Sequence, residues 1–184
     1  MVWIWIGLGI IIVLAIIVVY YINRIIVLSN RIDNAWSQID VQLKKRADLV
    51  PNLVETVKAY VKHERKIFLQ VARARTEMLK ARGPQKRLRA GAKLGEVLKT
   101  LFAIAENYPK LRASENFKLL QEQLEGIENK IAYSRQFYND STLIYNNMIS
   151  TIPGRWFASL MGRIKQKPYL AISEAERKPV KVRF

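Results

Sequence analysis

The 184-residue sequence predicts an all-α protein, with a single amino-terminal transmembrane helix followed by a long antiparallel bundle of three to four helices. Three observations predict this class: an uncharged apolar run at the start, apolar residues at alternating spacings of four and three, and no strand-like alternation. We therefore divide the chain into an anchor, residues 1–22, a cytoplasmic bundle, residues 23–152, and a basic amphipathic tail, residues 153–184.

The anchor carries the strongest signal. Residues 2–22 contain no charged side chain, and fourteen of these 21 residues are Ile, Leu or Val. A helix of this length reaches about 31 Å, the thickness of the hydrocarbon core of a bilayer. Aromatic residues lie at both ends, where belts form at membrane surfaces: Trp3, Trp5, Tyr20 and Tyr21.

Two other interpretations of the run are a buried core helix and a cleaved signal peptide. A soluble core helix has a polar stripe, and a signal peptide has a basic stretch before its apolar run and small residues at its cleavage site. None of these three features is found here, so we expect a retained anchor in the inner (plasma) membrane. Arg24 and Arg31 follow the run and no basic residue precedes it, which places the amino terminus outside and the bundle in the cytoplasm.

The first cytoplasmic helix is predicted from an apolar seam that runs from Ile32 to Met78. The seam passes through Pro51 without losing phase. This favours one long helix, bent where proline removes the hydrogen bond to the Ala47 carbonyl. The alternative is a break into two helices at Val50.

Three polar residues interrupt the predicted seams: Arg46 and Glu64 in the first, and Ser134 in a later one. We expect Arg46 and Glu64 to lie at the edge of the bundle with their charged groups in water. The alternative is a buried polar layer that fixes the helix register, with Arg46 paired to a carboxylate.

Two more helices complete the predicted bundle. Gly83 and Pro84 mark the end of the first helix and the start of a second, over 84–107. A third helix is predicted over 114–151, where apolar and aromatic residues recur at spacings of three and four. Such seams predict packing against neighbouring helices at a shallow left-handed crossing angle.

The tail begins with apolar residues beside basic ones, a pattern typical of a short interfacial helix. These candidate membrane-contacting residues are Trp156, Phe157, Leu160, Met161, Ile164, Arg163, Lys165 and Lys167. The alternative is that the apolar stripe covers one end of the bundle. Membrane contact requires a four-helix bundle or a neighbouring protomer, because three helices would leave the tail at the pole away from the bilayer.

The residue types argue against an enzyme. The sequence has no Cys and one His, His63, which we expect to be exposed on a helix. Thiolate chemistry and a multi-histidine metal site are therefore excluded. No P-loop or Glu-x-x-His pair occurs, and the Asp and Glu residues at helical spacing are typical of solvated faces. We expect no catalytic residue, cofactor or metal.

The net charge of +16 indicates an anionic partner. Residues 114–152 carry a net charge of −2, whereas the other segments after the anchor are basic. A tethered basic domain fits the anionic inner leaflet of the bilayer. We also expect a homo-oligomer and a membrane-protein partner. Nonspecific nucleic-acid binding through residues 80–99 is the alternative function, but this region has no aromatic residue for base stacking.

Several segments resemble the LemA family of bacterial membrane proteins. The resemblance rests on the blocks Asn30–Tyr60 and Ala105–Leu124, and on Arg135, Tyr138-Asn139, Tyr145-Asn146 and Pro153. It implies a single amino-terminal span and a cytoplasmic antiparallel bundle of about four helices. It implies no catalytic residue, and it points to membrane organisation or scaffolding. The basic ending KPVKVRF departs from the usual pattern of the family.

Overall fold

The computed structural model describes residues 1–61 and 64–170, and this part of the chain is helical with no strand. The prediction of an all-α fold is thereby confirmed. His63 and the KPVKVRF ending lie outside the described residues. The helices are α1 (Val2–Lys58), α2 (Arg65–Lys80), α3 (Pro84–Ala105), α4 (Pro109–Arg112), α5 (Glu115–Ser150) and α6 (Gly154–Leu160).

Packing divides the chain into two compact units. The anchor unit consists of Met1–Ala35 and Gln136–Phe184, and the bundle unit consists of Trp36–Arg135. Helices α1 and α5 each contribute one part to both units. The predicted boundaries of the anchor, bundle and tail follow membrane and charge patterns rather than packing, and they stay predictions.

Helix α1 continues through Pro51, as predicted, but ends at Lys58 instead of running on to Met78. The break lies between Lys58 and Arg65, where α2 begins, and not at Val50. The intervening residues 59–64 include neither Gly nor Pro, and the seam stays buried on both sides of the break. The apolar spacing therefore contains no signal of the chain reversal.

The later helices follow the predicted bounds closely. Pro84 occupies the first turn of α3 as predicted. Gly83, with φ of 83°, is the N-cap of α3 rather than the end of the preceding helix, because α2 already ends at Lys80. Helix α5 lies within one residue of its predicted ends, whereas the short helix α4 was not predicted. In the bundle unit α3 and α5 contact through Phe102 and Phe117, whose ring centroids are 5.7 Å apart.

The backbone carbonyl that Pro51 leaves without a donor has an unexpected hydrogen-bond partner in the bundle unit. A proline has no N–H, so the carbonyl of Ala47 lacks its donor within α1. The Nε of Arg75, on α2, donates to that carbonyl at 2.8 Å. The side chain of α2 thus replaces the missing backbone bond and holds α2 against α1.

Arg46 lies in the core of the bundle unit, with 3% of its surface exposed. Its guanidinium donates from Nη1 to the Gly91 carbonyl of α3 at 3.2 Å and forms an ion pair with Glu128 of α5. The expectation that Arg46 lies at the bundle edge is therefore wrong, and the alternative that Arg46 is buried and paired to a carboxylate is correct. Ser134 is only partly buried. Glu64, just before α2, is only partly buried.

Two glycines explain why Arg46 fits inside. A Cβ at Gly95 would lie 3.3 Å from Nη1 of Arg46, and one at Gly91 would meet the side chain of Leu43. Their absent side chains let α3 approach α1 closely around the guanidinium. Burial lowers the pKa of Arg46 to about 10, which still leaves it charged at neutral pH.

Candidate membrane-facing site

Helix α1 is the one helix in the described part of the chain that is long and apolar enough to cross a membrane. Its most apolar window has a mean hydropathy of 3.1, and none of that window is buried. A core helix would be covered by other helices, so the exposure argues against that interpretation. A signal sequence has the same length and composition, and that alternative stays open.

The four predicted belt residues lie at the two ends of the apolar run. Trp3 and Trp5 are exposed at its start. Tyr20 is exposed at its other end, and its ring meets that of Tyr21 edge to face with centroids 5.4 Å apart. Their role at a membrane surface stays a prediction.

Tyr21 joins the apolar run to the tail. Its ring stacks on that of Phe157 in α6, with centroids 5.1 Å apart and planes at 17°. The short helix α6 therefore lies beside the carboxyl end of the apolar run. Membrane contact of the tail requires the chain to return to the end of the bundle that is near the bilayer. The contact of Tyr21 with Phe157 shows that the chain returns to its own apolar run.

Some residues of the predicted apolar stripe of the tail are partly buried, and others are exposed. Phe157 and Met161 are partly buried within the anchor unit. Trp156, Leu160 and Ile164 are 60%, 84% and 63% exposed. The structure thus uses one part of the stripe for packing and leaves the other part uncovered next to the apolar run.

The position of α6 depends on a close backbone approach. Gly154, the first residue of α6, is buried, and a Cβ there would collide with the carbonyl oxygen of Met148 in α5. Ala158, one turn later, is fully buried. Small residues at both positions allow α6 to pack tightly on the end of α5.

The predicted basic residues have different surroundings. Arg31 and Lys165 are exposed, whereas Arg24 and Arg163 are partly buried. Lys167 forms an ion pair with Asp33 of α1, with 2.9 Å between Nζ and Oδ1. The ammonium group of Lys167 is therefore directed to a carboxylate of its own chain.

The sequence analysis did not identify the segment that follows α6. We call residues Lys167–Leu170 the strap. Asn146 and Asn139 of α5 each form hydrogen bonds with the strap backbone. A signal was present, because the dipeptide Tyr-Asn occurs at 138–139 and again seven residues later, and these positions carry part of the family resemblance.

The described residues show no cluster of three or more His, Asp or Glu side chains that could hold a metal ion. The titratable group with a shifted pKa near the strap is Tyr138. Burial, which disfavours the phenolate, raises its pKa above the usual value, and the nearby Lys167 opposes the shift. The described residues of this site provide packing contacts and exposed apolar surface.

Comparisons with known proteins match both units. The protein-family model described as "LemA family" matches residues 35–184 of this chain. The magnetosome proteins MamQ 1 and MamQ 2 of Paramagnetospirillum magneticum are each 24% identical over 184 aligned positions, which cover 86% of this chain and 67% of the relative. The magnetosome protein MamQ of Magnetospirillum gryphiswaldense is 26% identical over 152 positions, covering 68% of this chain and 56% of the relative.

Proposed function

The chain belongs to the LemA family, and on this basis we propose that it is a membrane-anchored, non-enzymatic structural protein. Its apolar helix, which is long enough to cross a membrane, supports a protein that associates with a membrane. In the proposal the amino terminus lies outside, and the bundle docks partners or self-associates at the inner membrane surface.

The observation that carries the proposal is the contact between Tyr21 and Phe157. It places α6 beside the end of the apolar run. In the proposal this end lies at the depth where the bilayer meets water. Trp156, Leu160 and Ile164 are exposed there, and apolar surface of this kind enters the boundary between headgroups and acyl chains. The basic side chains of Arg155 and Lys165 are exposed on the same segment and would add about 1 kcal/mol each at an anionic leaflet.

The depth of Trp156 in the membrane, measured by fluorescence quenching, tests this proposal directly. The full chain is prepared with Trp3, Trp5 and Trp36 replaced by Phe, and is reconstituted into vesicles of phosphatidylcholine and phosphatidylglycerol that contain brominated lipids. An interfacial α6 buries its apolar face about 5–10 Å into the membrane. We expect bromine near the headgroup to quench Trp156 fluorescence more strongly than bromine deep in the acyl chains.

A matched variant retains Trp36 and has Phe at the other three positions. Trp36 follows Ile22 by 14 residues in the same helix, or about 21 Å of rise, which is beyond the reach of the bromine atoms. If the fluorescence of Trp156, like that of Trp36, is the same in brominated and ordinary vesicles, the result contradicts the membrane contact of α6. Quenching of Trp156 alone would support it.

A further inference from the structure

Two asparagines of α5 form hydrogen bonds with the backbone of the strap. Oδ1 of Asn146 accepts from the Lys167 N–H at 2.9 Å, and Nδ2 of Asn146 donates to the Lys167 carbonyl at 3.0 Å. Asn139 makes the same pair of bonds with Leu170, at 2.9 and 3.2 Å. Each side-chain amide thus pairs with a residue of the strap as a neighbouring β-strand would.

The spacing of the two asparagines fits an extended chain. Seven residues separate them, which is about 10.5 Å along a helix. Three residues of extended or polyproline chain cover about 9–10 Å. The strap runs antiparallel to α5, because Asn146 holds Lys167 and Asn139 holds Leu170. Backbone pairing of this kind recognises conformation and is independent of the side chains held.

Other contacts select the side chains of the strap. Lys167 reaches the carboxylate of Asp33, and the Leu170 side chain is 2% exposed. The hydroxyl of Tyr138 donates to the Pro168 carbonyl at 3.2 Å. Pro168 itself favours the extended conformation and has no N–H that would need an acceptor. The contacts therefore favour a basic residue followed by proline, and an apolar residue two positions after the proline.

We propose that the face of α5 bearing Asn139 and Asn146 is a binding site for an extended peptide of this pattern. The strap is its resident occupant, and a partner segment with the same pattern displaces it. A short connection separates the strap from α5, so the strap competes at an effective concentration in the millimolar range. A free peptide therefore binds well only after the strap is released.

A labelled peptide with the sequence of residues 164–171, IKQKPYLA, tests the site. Its binding to the full chain in detergent is followed by fluorescence anisotropy. Leu170→Asp places a carboxylate in a buried apolar position and releases the strap. We expect the Leu170→Asp chain to bind the peptide at least about tenfold more tightly than the unmodified chain, because the internal competitor is gone.

The asparagines are then removed in the released chain. Asn139→Ala with Asn146→Ala should weaken peptide binding at least about tenfold, whereas Asn147→Ala, at an exposed position on the same helix, should leave it unchanged. A peptide N-methylated at the leucine lacks the N–H that donates to Oδ1 of Asn139, and it should also bind poorly.

Two results would overturn the proposal: equal binding to the released and unmodified chains, or unaltered binding after loss of both asparagines. Circular dichroism checks that the Leu170→Asp chain remains helical. Lys167→Glu provides a second way to release the strap, by repulsion from Asp33, and leaves the apolar position intact. An increase in peptide affinity is expected for it as well, smaller than for Leu170→Asp, because the Asp33 side chain is 65% exposed and surface ion pairs are weak.

Discussion

The bundle unit and the anchor unit both use side chains to satisfy backbone carbonyls, but with different chemistry. In the bundle unit the charged groups of Arg46 and Arg75 bond carbonyls of neighbouring helices. In the anchor unit the neutral amides of Asn139 and Asn146 bond an extended segment. Charged hydrogen bonds between helices are strong and costly to break, whereas neutral bonds to a peripheral strap allow its release.

The largest expected effect concerns the buried arginine. Glu128→Ala leaves the charge of Arg46 inside the bundle unit without its ion-pair partner. Removing one partner of a fully buried pair costs up to about 3–5 kcal/mol. Only Arg46 is buried here and the Glu128 side chain is 53% exposed, so we expect a smaller loss of unfolding free energy, about 2 kcal/mol. Urea unfolding measures it.

Glu125→Ala is the control for that measurement. Glu125 lies one turn earlier on α5 and is exposed, so its loss should change the unfolding free energy by less than about 0.5 kcal/mol. Equal losses for the two variants would show that Glu128 does not compensate the Arg46 charge.

A smaller effect is expected at the bond that replaces the missing N–H of Pro51. Arg75→Leu leaves the Ala47 carbonyl without a donor, which should cost about 1–2 kcal/mol of unfolding free energy. When Pro51 is first replaced by Ala, the restored N–H can donate to that carbonyl within α1. We therefore expect Arg75→Leu to cost about 1 kcal/mol less in the Pro51→Ala chain, a difference that a double-mutant cycle measures.

The control for this cycle is Arg73→Leu, at an exposed position on α2. Its effect should be small and the same with Pro or Ala at position 51. A cost of Arg75→Leu that does not depend on residue 51 would contradict the replacement of the missing bond by Arg75.

The smallest effect is expected in the anchor unit, at alkaline pH. The pKa of Tyr138 is higher in the folded protein than its ordinary value of 10.0, because burial disfavours the phenolate. As the pH rises above 10, the unfolded chain loses this proton first, so the stability contributed by Tyr138 decreases with pH. Between pH 8 and 10.5 the unmodified chain should lose more thermal stability than Tyr138→Phe, by less than about 1 kcal/mol.

Tyr133→Phe provides the comparison on the same helix. Tyr133 is exposed, so this variant should follow the unmodified chain across the pH range. If Tyr138→Phe also follows the unmodified chain, the phenol of Tyr138 does not contribute to the alkaline loss.

Several features of the molecule were predictable because they depend on neighbours in the sequence. An uncharged run of 21 residues predicts a candidate span wherever it occurs, and the order Gly83-Pro84 predicts the start of α3. The heptad spacing of α5 predicts its ends to within one residue. The tail stripe was found as well, but the sequence could not show that Phe157 would pack on Tyr21 while Trp156 stayed exposed.

The sequence by itself determined the helical class, the apolar run and the passage of α1 through Pro51, because these follow from local periodicity and backbone chemistry. Only the tertiary structure decided the fate of the polar residues. Arg46 is buried because Gly91 and Gly95 leave space for it on a distant helix. Asn139 and Asn146 hold the strap because the chain returns to α5 after α6. A side chain's partner depends on which helices meet, and local spacing does not contain that information.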